Sequence, residues 1–447
     1  MMDDDTQDRP SRSVPSSRAG RIGSFGRLAG GVAGGMLAEG ARRLARGERP
    51  RLRDTMLTPG NARRLADRLA HLRGAAMKMG QMISMDAGDM LPPELADILA
   101  RVREQADRMP PRQLRDVLDA EWGSGWLSRF RHFNPRPIAA ASIGQVHKGT
   151  TKDGREIAIK VQYPGVKESI DSDVDNVATL LRISGLLPAE LDIAPLLAEA
   201  KRQLHEEADY EREGAQMMAY RERLEGSDHF IVPAIAEDFS TGRVLAMDFV
   251  PGRPVEELES APQDERDRVV TRIIELVLRE LFDFGVMQTD PNFANYRYQP
   301  DTGKLVLLDF GATRDVDPQV AANYRRLLEA GLAQDRDAAR AAAQEAGYVA
   351  SAVIEKHGAR LDRMIDIIVA EMNRSGPFDF GDRAFVSVLR DEGMAIAADK
   401  ATWHIPPVEM LFVQRKISGT ALLGARLKAK VDVRELVRPY VSEDRSA

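Results

Sequence analysis

The chain has 447 residues, of which 43% are hydrophobic and 30% charged, so it is a globular protein long enough for two or more lobes. A net charge of -6 argues against nucleic acid as the main partner, because neutralising phosphates requires a basic face. The absence of cysteine excludes disulfide bonds, thiol catalysis and thiolate metal sites.

Residues 1–55 are predicted to form a basic, partly disordered leader. Arginine is frequent from Arg9 to Arg53, whereas the chain as a whole is acidic. The most apolar window of the leader, residues 28–38, is shorter than the ~20 residues of a membrane-spanning helix. It is either a membrane-associating helix or a flexible linker.

Residues 56–135 are predicted to form a helical extension. Apolar residues recur at helical spacing from Thr58 to Met85, and two shorter helices are expected at Pro92–Gln105 and Pro111–Leu118. Pro135 and Pro137 then end the helical pattern.

Residues 136–250 change to short β-branched runs and are predicted to form a mixed lobe, followed by a mainly helical lobe at 251–447. The elements expected in the mixed lobe are a hairpin of IGQVHKG and REIAIKVQY around a turn at Lys152–Gly154, one charged helix at Asp192–Leu224, and two strands at His229–Phe239 and Arg243–Val250. The helical lobe is interrupted by a loop and strands at residues 287–312.

Three polar residues of the second lobe have the spacing of a protein-kinase active site. Asp290 precedes Asn295 as in D-x-x-x-x-N, and Asp309 begins a DFG sequence after the next expected hairpin. Transfer of a nucleotide γ-phosphate requires one carboxylate to orient the nucleophile, and an amide and a second carboxylate to hold Mg²⁺. Each residue alone is typical of a loop or a helix cap, but their order predicts Asp290 as the catalytic carboxylate and Asn295 and Asp309 as metal ligands.

Upstream, Lys160 lies in IAIK on an expected strand, like the phosphate-binding lysine of V-A-I-K. The preceding AAASIGQV overlays G-x-G-x-x-G-x-V with alanine at the first two glycine positions, which should stiffen the loop or change how the nucleotide lies. The predicted nucleotide-binding residues are therefore Ala139, Ala140, Ala141, Ser142, Gly144, Val146 and Lys160.

A kinase lysine requires an acidic partner on a neighbouring helix, and HEEADYEREGA offers several. On one continuous helix Asp209 and Glu213 share a face, whereas Glu207 points about 120° away from Glu213. We therefore expect this helix to serve two different lysines.

The strand VLAMDFVPG is predicted to link the two lobes. Met247 would lie at the back of an adenine pocket, and the backbone of Asp248 to Val250 would meet the base. The alternative is an ordinary edge strand.

Taken together, these motifs resemble the UbiB/AarF family of atypical kinase-like proteins, which support ubiquinone biosynthesis in bacteria and mitochondria. The matching motifs are KMGQ at Lys78–Gln81, AAAS at Ala139–Ser142, E-A-D at Glu207–Asp209, TDPNFAN at Thr289–Asn295 and DFG at Asp309–Gly311. The resemblance implies an α+β, bilobal protein-kinase-like fold whose N-terminal helical extension covers the nucleotide cleft.

The resemblance also implies roles for the charged residues. Lys78 and Gln81, one helical turn apart, would point into the site. Lys78 would pair with Glu207 and Lys160 with Glu213, with Asp209 nearby as the second acidic residue. The apolar neighbours of Lys78 agree, because an uncompensated charge among them is disfavoured, although a lysine that extends to water is the alternative.

Two departures from protein kinases bear on the phosphoryl acceptor. Gln288 occupies the position of the histidine in H-R-D, and no A-P-E sequence follows DFG. A protein substrate in trans is therefore disfavoured, and water or a small, lipid-like acceptor is favoured. The family is associated with ATPase activity that membranes and phenolic quinone-like compounds stimulate.

We predict an ATP- and Mg²⁺-dependent atypical kinase or ATPase that acts at a membrane surface in support of ubiquinone biosynthesis. Its expected partners are ATP or ADP, an anionic lipid surface and quinone-biosynthesis enzymes or intermediates, with no nucleic acid. Its expected location is cytoplasmic, peripheral at a bacterial inner membrane. The alternatives are a protein kinase acting in trans and a nucleotide-gated lipid-binding scaffold without appreciable catalysis.

Overall fold

In the computed structural model, the described residues are 109–183, 194–399 and 407–441. They fall into two compact units. The first contains the described residues as far as Met218 together with Ala234–Phe249, and the second contains Ala219–Pro233 and the described residues from Val250 onward. The predicted leader, the KMGQ helix and the predicted helix Pro92–Gln105 lie outside the described residues.

Helices and strands follow one another along both units. The helices are α1 (Pro111–Trp122), α2 (Val166–Ile183), α3 (Ala194–Glu207), α4 (Tyr210–Arg223), α5 (Gln263–Arg279), α6 (Pro318–Leu332), α7 (Arg336–Glu345), α8 (Ser351–Met372), α9 (Ala384–Ala397), α10 (Val408–Leu427) and α11 (Val433–Val441). The strands are β1 (Phe130–Phe133), β2 (Ala139–Ala140), β3 (Gly144–Thr151), β4 (Glu156–Gln162), β5 (Phe230–Ile231), β6 (Val244–Asp248), β7 (Arg253–Pro254), β8 (Val286–Gln288), β9 (Tyr296–Gln299), β10 (Lys304–Leu307), β11 (Thr313–Asp315), β12 (Phe378–Asp379) and β13 (Lys430–Val431).

The first unit is built on an antiparallel sheet with strand order β1-β3-β4-β6, in which β2 also pairs with β3. The predicted hairpin is confirmed as β3 and β4, paired from Gly144↔Gln162 to Thr150↔Glu156. Gly154 closes its turn with a φ of +95°, a conformation that favours glycine.

Alternation along β4 separates the core from the candidate site. Ile157, Ile159 and Val161 are completely buried and pack with aromatic residues into the core of the unit. Because successive side chains of a strand point to opposite faces, Lys160 lies on the other face of the sheet. The aromatic residues in or against this core are Trp122, Trp126, Phe130, Phe133, Tyr163 and Phe239.

Three predicted elements differ from the structure. β1 precedes the predicted start of the mixed lobe at residue 136, so the sheet takes a strand from the expected helical extension. The single helix expected at Asp192–Leu224 is two helices, α3 and α4, because Asp209 begins a new one: its Oδ1 accepts a hydrogen bond from the backbone of Arg212 at 3.0 Å. Only Phe230–Ile231 of the strand expected at His229–Phe239 is a strand, and it pairs with β10 in the second unit.

The second unit is mainly helical, as predicted, and contains three small sheets. β5, β10, β9 and β7 form one of them, β8 pairs with β11, and β12 pairs with β13. The pairings β8–β11 and β9–β10 are antiparallel. They join the segments that carry Asp290, Asn295 and Asp309.

Helix α10 packs into the core of the second unit. Its residues Met410, Phe412 and Val413 are buried with Leu281, in the π-helical turn Glu280–Phe284, and with Met287, in strand β8. This packing places the middle of α10 against the chain that leads into Asp290. Among the described helices, none has the length and apolar character needed to cross a membrane.

Candidate active site

Lys160 and Glu213 form a buried ion pair in the first unit. The Nζ atom of Lys160 lies 2.9 Å from both carboxylate oxygens of Glu213. The Glu213 side chain is 1% exposed and that of Lys160 is 11% exposed. Tyr210 adds a ring whose centroid is 5.1 Å from Nζ. This is the contact that the family resemblance implied, and it fixes the lysine ammonium at the face of the sheet opposite the core.

The predicted phosphate loop is a tight hairpin rather than an open glycine loop. Ala139 and Ala140 form β2, opposite Val146 and Gln145 of β3, and Ala141 N donates to Gly144 O at 2.9 Å. The alanines at the glycine positions therefore belong to a hydrogen-bonded strand and its turn, which agrees with the expectation of a stiff loop.

Gly144 is fixed by the close approach of the next strand. A Cβ added here would lie 2.4 Å from the carbonyl oxygen of Val161 and 3.0 Å from the hydroxyl of Tyr210. Only glycine fits here without displacing β4. Lys160 directly precedes Val161 in that strand. The glycine thus couples the loop to the strand that carries the lysine.

Glu207 and Asp209 have different surroundings from those expected on one helix. Ser142 Oγ donates to Glu207 Oε2 at 2.5 Å, which ties the phosphate loop to the end of α3. Asp209 caps α4, as described above. The expected partner of Glu207, Lys78, lies outside the described residues, as does Gln81, so both assignments stay predictions.

Gln162 is a contributor to this region that the sequence did not reveal. Its Nε2 donates to the carbonyl of Ala208 at 2.9 Å, and the side chain is buried. The bond holds the break between α3 and α4 against the end of β4. The bond therefore helps to position the end of α3, with Glu207, and the start of α4, which carries Glu213, relative to Lys160.

A second buried network lies along β3. His147 Nδ1 is 3.0 Å from Asn134 O, and its Nε2 is 2.8 Å from Nε2 of Gln145, whose Oε1 accepts from Met109 N at 2.9 Å. With Gln145 donating, the histidine carries its proton on Nδ1 and is neutral. Burial lowers the pKa of His147 from 6.5 to about 4, and the bond to Asn134 opposes this only in part.

The predicted link segment ends the sheet at β6. Met247 is buried and pairs with Ala158 of β4. Asp248 N donates to Ala234 O, and Phe249 N to Glu156 O, both at 2.8 Å. These two N–H groups are engaged within the first unit, and the chain enters the second unit at Val250. The adenine contacts of this segment stay a prediction.

In the second unit, backbone pairing brings the predicted catalytic and metal-binding residues together. Thr289 donates to Ala312 O from both its backbone N, at 3.0 Å, and its Oγ1, at 2.8 Å. Leu308 N donates to Asn295 O at 3.0 Å. The segments before Asp290 and around Asp309 are thereby held side by side.

Asn295 and Asp309 line the same small cavity. Asn295 Nδ2 donates to the carbonyl of Asp290 at 3.4 Å, and Gly311 N donates to Asp309 Oδ1 at 3.1 Å. Amide and carboxylate oxygens are hard donors that suit Mg²⁺. Among the described residues, the lining comprises Tyr220, Leu276, Glu280, Gln288, Asn295, Tyr296, Leu307, Asp309 and Phe310.

Directly beside this cavity is a buried charged cluster around Lys416 of α10. Its Nζ lies 2.9 Å from the Tyr296 hydroxyl, 3.2 Å from Gln288 Oε1 and 3.5 Å from Glu280 Oε2. Glu280 Oε1 accepts from the Tyr220 hydroxyl at 2.9 Å and from Gln288 N at 3.1 Å. The side chains of Lys416 and Glu280 are both 0% exposed.

Burial lowers the pKa of Lys416, but the attraction of Glu280 outweighs it, so the net pKa lies above its ordinary value and the amine is charged. Sequence reasoning missed this residue. A signal was present, because Phe412, Val413 and Lys416 recur at helical spacing and place the lysine on the buried face of α10.

Known proteins match the chain over most of its length. A sequence profile of the ABC1 atypical kinase-like domain matches residues 101–343. The atypical kinase COQ8B, mitochondrial, of Rattus norvegicus is 37% identical over 427 residues, covering 95% of this chain and 80% of that protein. The atypical kinase COQ8, mitochondrial, of Saccharomyces cerevisiae is 35% identical over 435 residues, covering 96% and 85%.

A solved structure adds support for the fold. Rv3197 of Mycobacterium tuberculosis, in complex with erythromycin, matches with a TM-score of 0.59 and 24% identity, covering 83% of this chain and 93% of that one. This likeness concerns the fold alone. With the domain match, it confirms the predicted α+β, kinase-like fold.

Proposed function

Because this chain belongs to the ABC1 atypical kinase-like family, we propose that it is an ATP- and Mg²⁺-dependent atypical kinase or ATPase that acts at a membrane surface in support of ubiquinone biosynthesis. The observation that carries the enzymatic part is the ion pair of Lys160 and Glu213, 2.9 Å apart and almost fully buried. An active kinase needs this lysine–glutamate pair to hold the phosphates of the nucleotide.

We assign separate tasks to the residues of each unit. In the first, the Lys160 ammonium binds the α- and β-phosphates, and Glu213 keeps it oriented. The β2–β3 hairpin offers backbone N–H groups to the phosphates. In the second, Asp290 orients the nucleophile, while Asn295 and Asp309 would hold Mg²⁺, which neutralises charge that develops on the transferred phosphoryl group.

The short connection after DFG supports water or a small molecule as the acceptor. β11 ends at Asp315, and α6 begins at Pro318, with Asp317 capping the helix by accepting from Gln319 N at 2.7 Å. Two residues between a strand and a helix leave no extended loop on which a peptide could lie. A protein kinase acting in trans is therefore the weaker alternative.

The membrane part of the proposal rests on the arginine-rich leader and on the family. Each arginine close to an anionic leaflet adds ~1 kcal/mol of attraction. The relatives above are named mitochondrial proteins; for this chain we propose a peripheral position at the cytoplasmic side of a bacterial inner membrane. Its partners would then include anionic lipid and quinone intermediates.

The test is ATP turnover by the full chain with and without anionic liposomes. Asp290→Asn should lower kcat by about 10²–10⁴-fold, because it removes a catalytic carboxylate while preserving its shape. Asp301→Asn, a matched change at an exposed position in the turn between β9 and β10, should retain wild-type turnover. If folded wild-type protein released no phosphate and behaved like Asp290→Asn, catalysis would be excluded.

A companion measurement separates the enzyme from a nucleotide-gated scaffold. Quinone intermediates are extracted from a deletion strain complemented with wild type or with Asp290→Asn. An enzyme requires Asp290, so the variant should accumulate intermediates like the empty strain. Full complementation by a variant that binds nucleotide but does not turn it over would favour the scaffold.

The alanine loop provides a further test of the nucleotide site. Ala139→Gly and Ala141→Gly should loosen the β2–β3 hairpin, change the affinity for ADP and ATP, and raise self-phosphorylation. Nucleotide titrations and labelled ATP measure these effects. Binding constants identical to wild type in both variants would remove the loop from the site.

A further inference from the structure

Lys416 is a buried charge to which the proposed chemistry assigns no task. It lies in the middle of α10, its side chain is 0% exposed, and its ammonium contacts Gln288, Tyr296 and Glu280. Removing an ammonium from water is costly, and a buried ion pair repays that cost only with good geometry and further hydrogen bonds. The burial of this ion pair is therefore weak evidence for a role in stability alone.

Two of the partners of Lys416 delimit the segment that carries the predicted catalytic residues. Gln288 precedes Asp290 by two positions, and Tyr296 directly follows Asn295. The ammonium binds the Gln288 amide oxygen at 3.2 Å and the Tyr296 hydroxyl at 2.9 Å. One cation therefore holds both ends of residues 288–296.

Glu280 reinforces the first end of this segment. Its Oε1 accepts from Gln288 N at 3.1 Å and from the Tyr220 hydroxyl at 2.9 Å, while its Oε2 lies 3.5 Å from the ammonium of Lys416. Glu280 thus binds the backbone N–H of Gln288, and Lys416 binds its side-chain oxygen. A change at Lys416 must alter both contacts.

The cluster also adjoins the proposed metal ligands. Glu280, Gln288 and Tyr296 line the same small cavity as Asn295 and Asp309. A displacement of the cluster would therefore be transmitted to the oxygens that we assign to Mg²⁺. In addition, Gln288 stands where protein kinases have the histidine of H-R-D, so the side chain that departs from that pattern is one that Lys416 binds.

We propose that Lys416 is a positioning residue, which clamps residues 288–296 so that Asp290 and Asn295 keep their placement in the second unit. This inference rests on the proposed function, since the placement of these residues matters to turnover only if they take part in it. Lys416 itself does not contact nucleotide, because it is enclosed by protein on all sides.

The experiment compares Lys416→Met and Tyr296→Phe with Thr420→Ala. Thr420 is one turn further along α10, is buried, and donates only to Lys416 O at 2.9 Å, so its loss controls for disturbance of the helix. Hydrogen–deuterium exchange of peptides that cover 288–296 reports placement without any need for activity. ATP turnover reports kcat and KM separately.

In Lys416→Met, we expect the amide hydrogens of residues 288–296 to exchange about 10-fold or more faster than in wild type. Exchange in peptides of β3 and β4 should not change. Its kcat should fall by about 10²-fold, the effect of a misplacement near 1 Å. KM for ATP should change by no more than about threefold, because Lys160 and the phosphate loop are untouched. Tyr296→Phe removes one of the hydrogen bonds of Lys416, so exchange in 288–296 should be about threefold faster and kcat about 10-fold lower. Thr420→Ala should match wild type.

A purely structural role predicts a different result in the double variant Lys416→Met/Glu280→Gln. Removing both charges relieves the unpaired carboxylate and should restore stability, but it does not restore the bonds to Gln288 and Tyr296. We therefore expect kcat to stay low. Recovery of wild-type kcat in the double variant would overturn the proposal.

The remaining outcomes are also decisive. Unchanged exchange of 288–296 in folded Lys416→Met overturns the inference, whatever the activity. If that variant does not fold, unchanged exchange and kcat in Tyr296→Phe overturn it instead. Absence of ATP turnover in wild type and in Asp290→Asn alike would refute the proposed function, whereas faster exchange in Lys416→Met would still show that the lysine holds the segment.

Discussion

Each unit contains a lysine–glutamate pair that is withdrawn from water, and the two pairs differ in what can reach them. Lys160 in the first unit keeps 11% of its side chain exposed, and its Nζ lies 2.9 Å from both oxygens of Glu213. Lys416 in the second unit is 0% exposed and divides its ammonium among Glu280 and two neutral acceptors, one of them the Tyr296 hydroxyl.

The difference in exposure separates two uses of the same chemistry. A lysine that retains an exposed surface can exchange part of its contact with a carboxylate for contact with a phosphate. A lysine with no exposed surface can act only on protein groups. The first pair is thus suited to ligand binding, and the second to holding the chain in place.

The largest effect that should distinguish the pairs is on stability. Lys416→Met leaves the Glu280 carboxylate buried without its cation and should lower the free energy of unfolding by about 3–5 kcal/mol. Lys160→Met should cost less, about 1–3 kcal/mol, because water can reach this site in part. Chemical denaturation of the two variants measures both values, and a larger loss for Lys160→Met would reverse the comparison.

Nucleotide provides the control for that measurement. Mg²⁺–ADP at about 100 times its Kd should stabilise a competent protein by ~2.7 kcal/mol. Lys416→Met, which shifts the magnesium ligands but leaves Lys160 in place, should retain most of this gain, whereas Lys160→Met should lose most of it. Equal gains in both variants would contradict the assignment of Lys160 to the phosphates.

His147 is a third buried titratable group, and unlike the two lysine–glutamate pairs it is neutral. Its pKa of about 4 lies below the unfolded value of 6.5, so the unfolded chain binds the proton more tightly. Stability from this group is complete above pH 6.5 and is lost as the pH falls towards 4. The loss amounts to about 3 kcal/mol at 1.36 kcal/mol per pKa unit.

Unfolding free energies of wild type and His147→Gln, measured from pH 7 to about one unit below the pKa of His147, give this contribution. The wild-type curve should fall more steeply, and the difference between the curves should level off below pH 4. His132→Gln, at an exposed position of β1, should follow wild type. Parallel curves for wild type and His147→Gln would show that the histidine is not held neutral.

The pair of the first unit is predicted from motif spacing together with the family resemblance. Motif order predicts Lys160 on a strand with an acidic partner on a following helix, and it also predicts Asp290, Asn295 and Asp309. The choice of Glu213 among several acidic residues comes from the family resemblance. The helix break at Asp209 was missed because i,i+4 spacing was applied across a residue that caps a new helix. Side-chain capping competes with helix continuation, and the pattern alone does not show which prevails.

The pair of the second unit could not be assembled from the sequence. Lys416 lies 120 positions after Tyr296 and 128 positions after Gln288 in the chain. Helical spacing is consistent with a lysine on the buried face of α10, but no local pattern identifies a partner at that distance. Such contacts depend on how α10 packs against β8, which is a property of the folded unit.

Gly144 offers the finest test of the ligand-binding pair. Gly144→Ala brings a Cβ to within 2.4 Å of Val161 O, so β3 and β4 must separate, at a cost of about 1–3 kcal/mol. Since Val161 follows Lys160, the shift should also weaken binding of Mg²⁺–ADP. Gly214→Ala is the matched control, because its Cβ would make only ordinary contact, 3.5 Å from Leu245 Cδ1, in the middle of α4. Gly214→Ala should leave stability unchanged or raise it. Denaturation and nucleotide titration of both variants measure stability and affinity. Wild-type affinity in a destabilised Gly144→Ala would mean that Lys160 keeps its place when its strand moves.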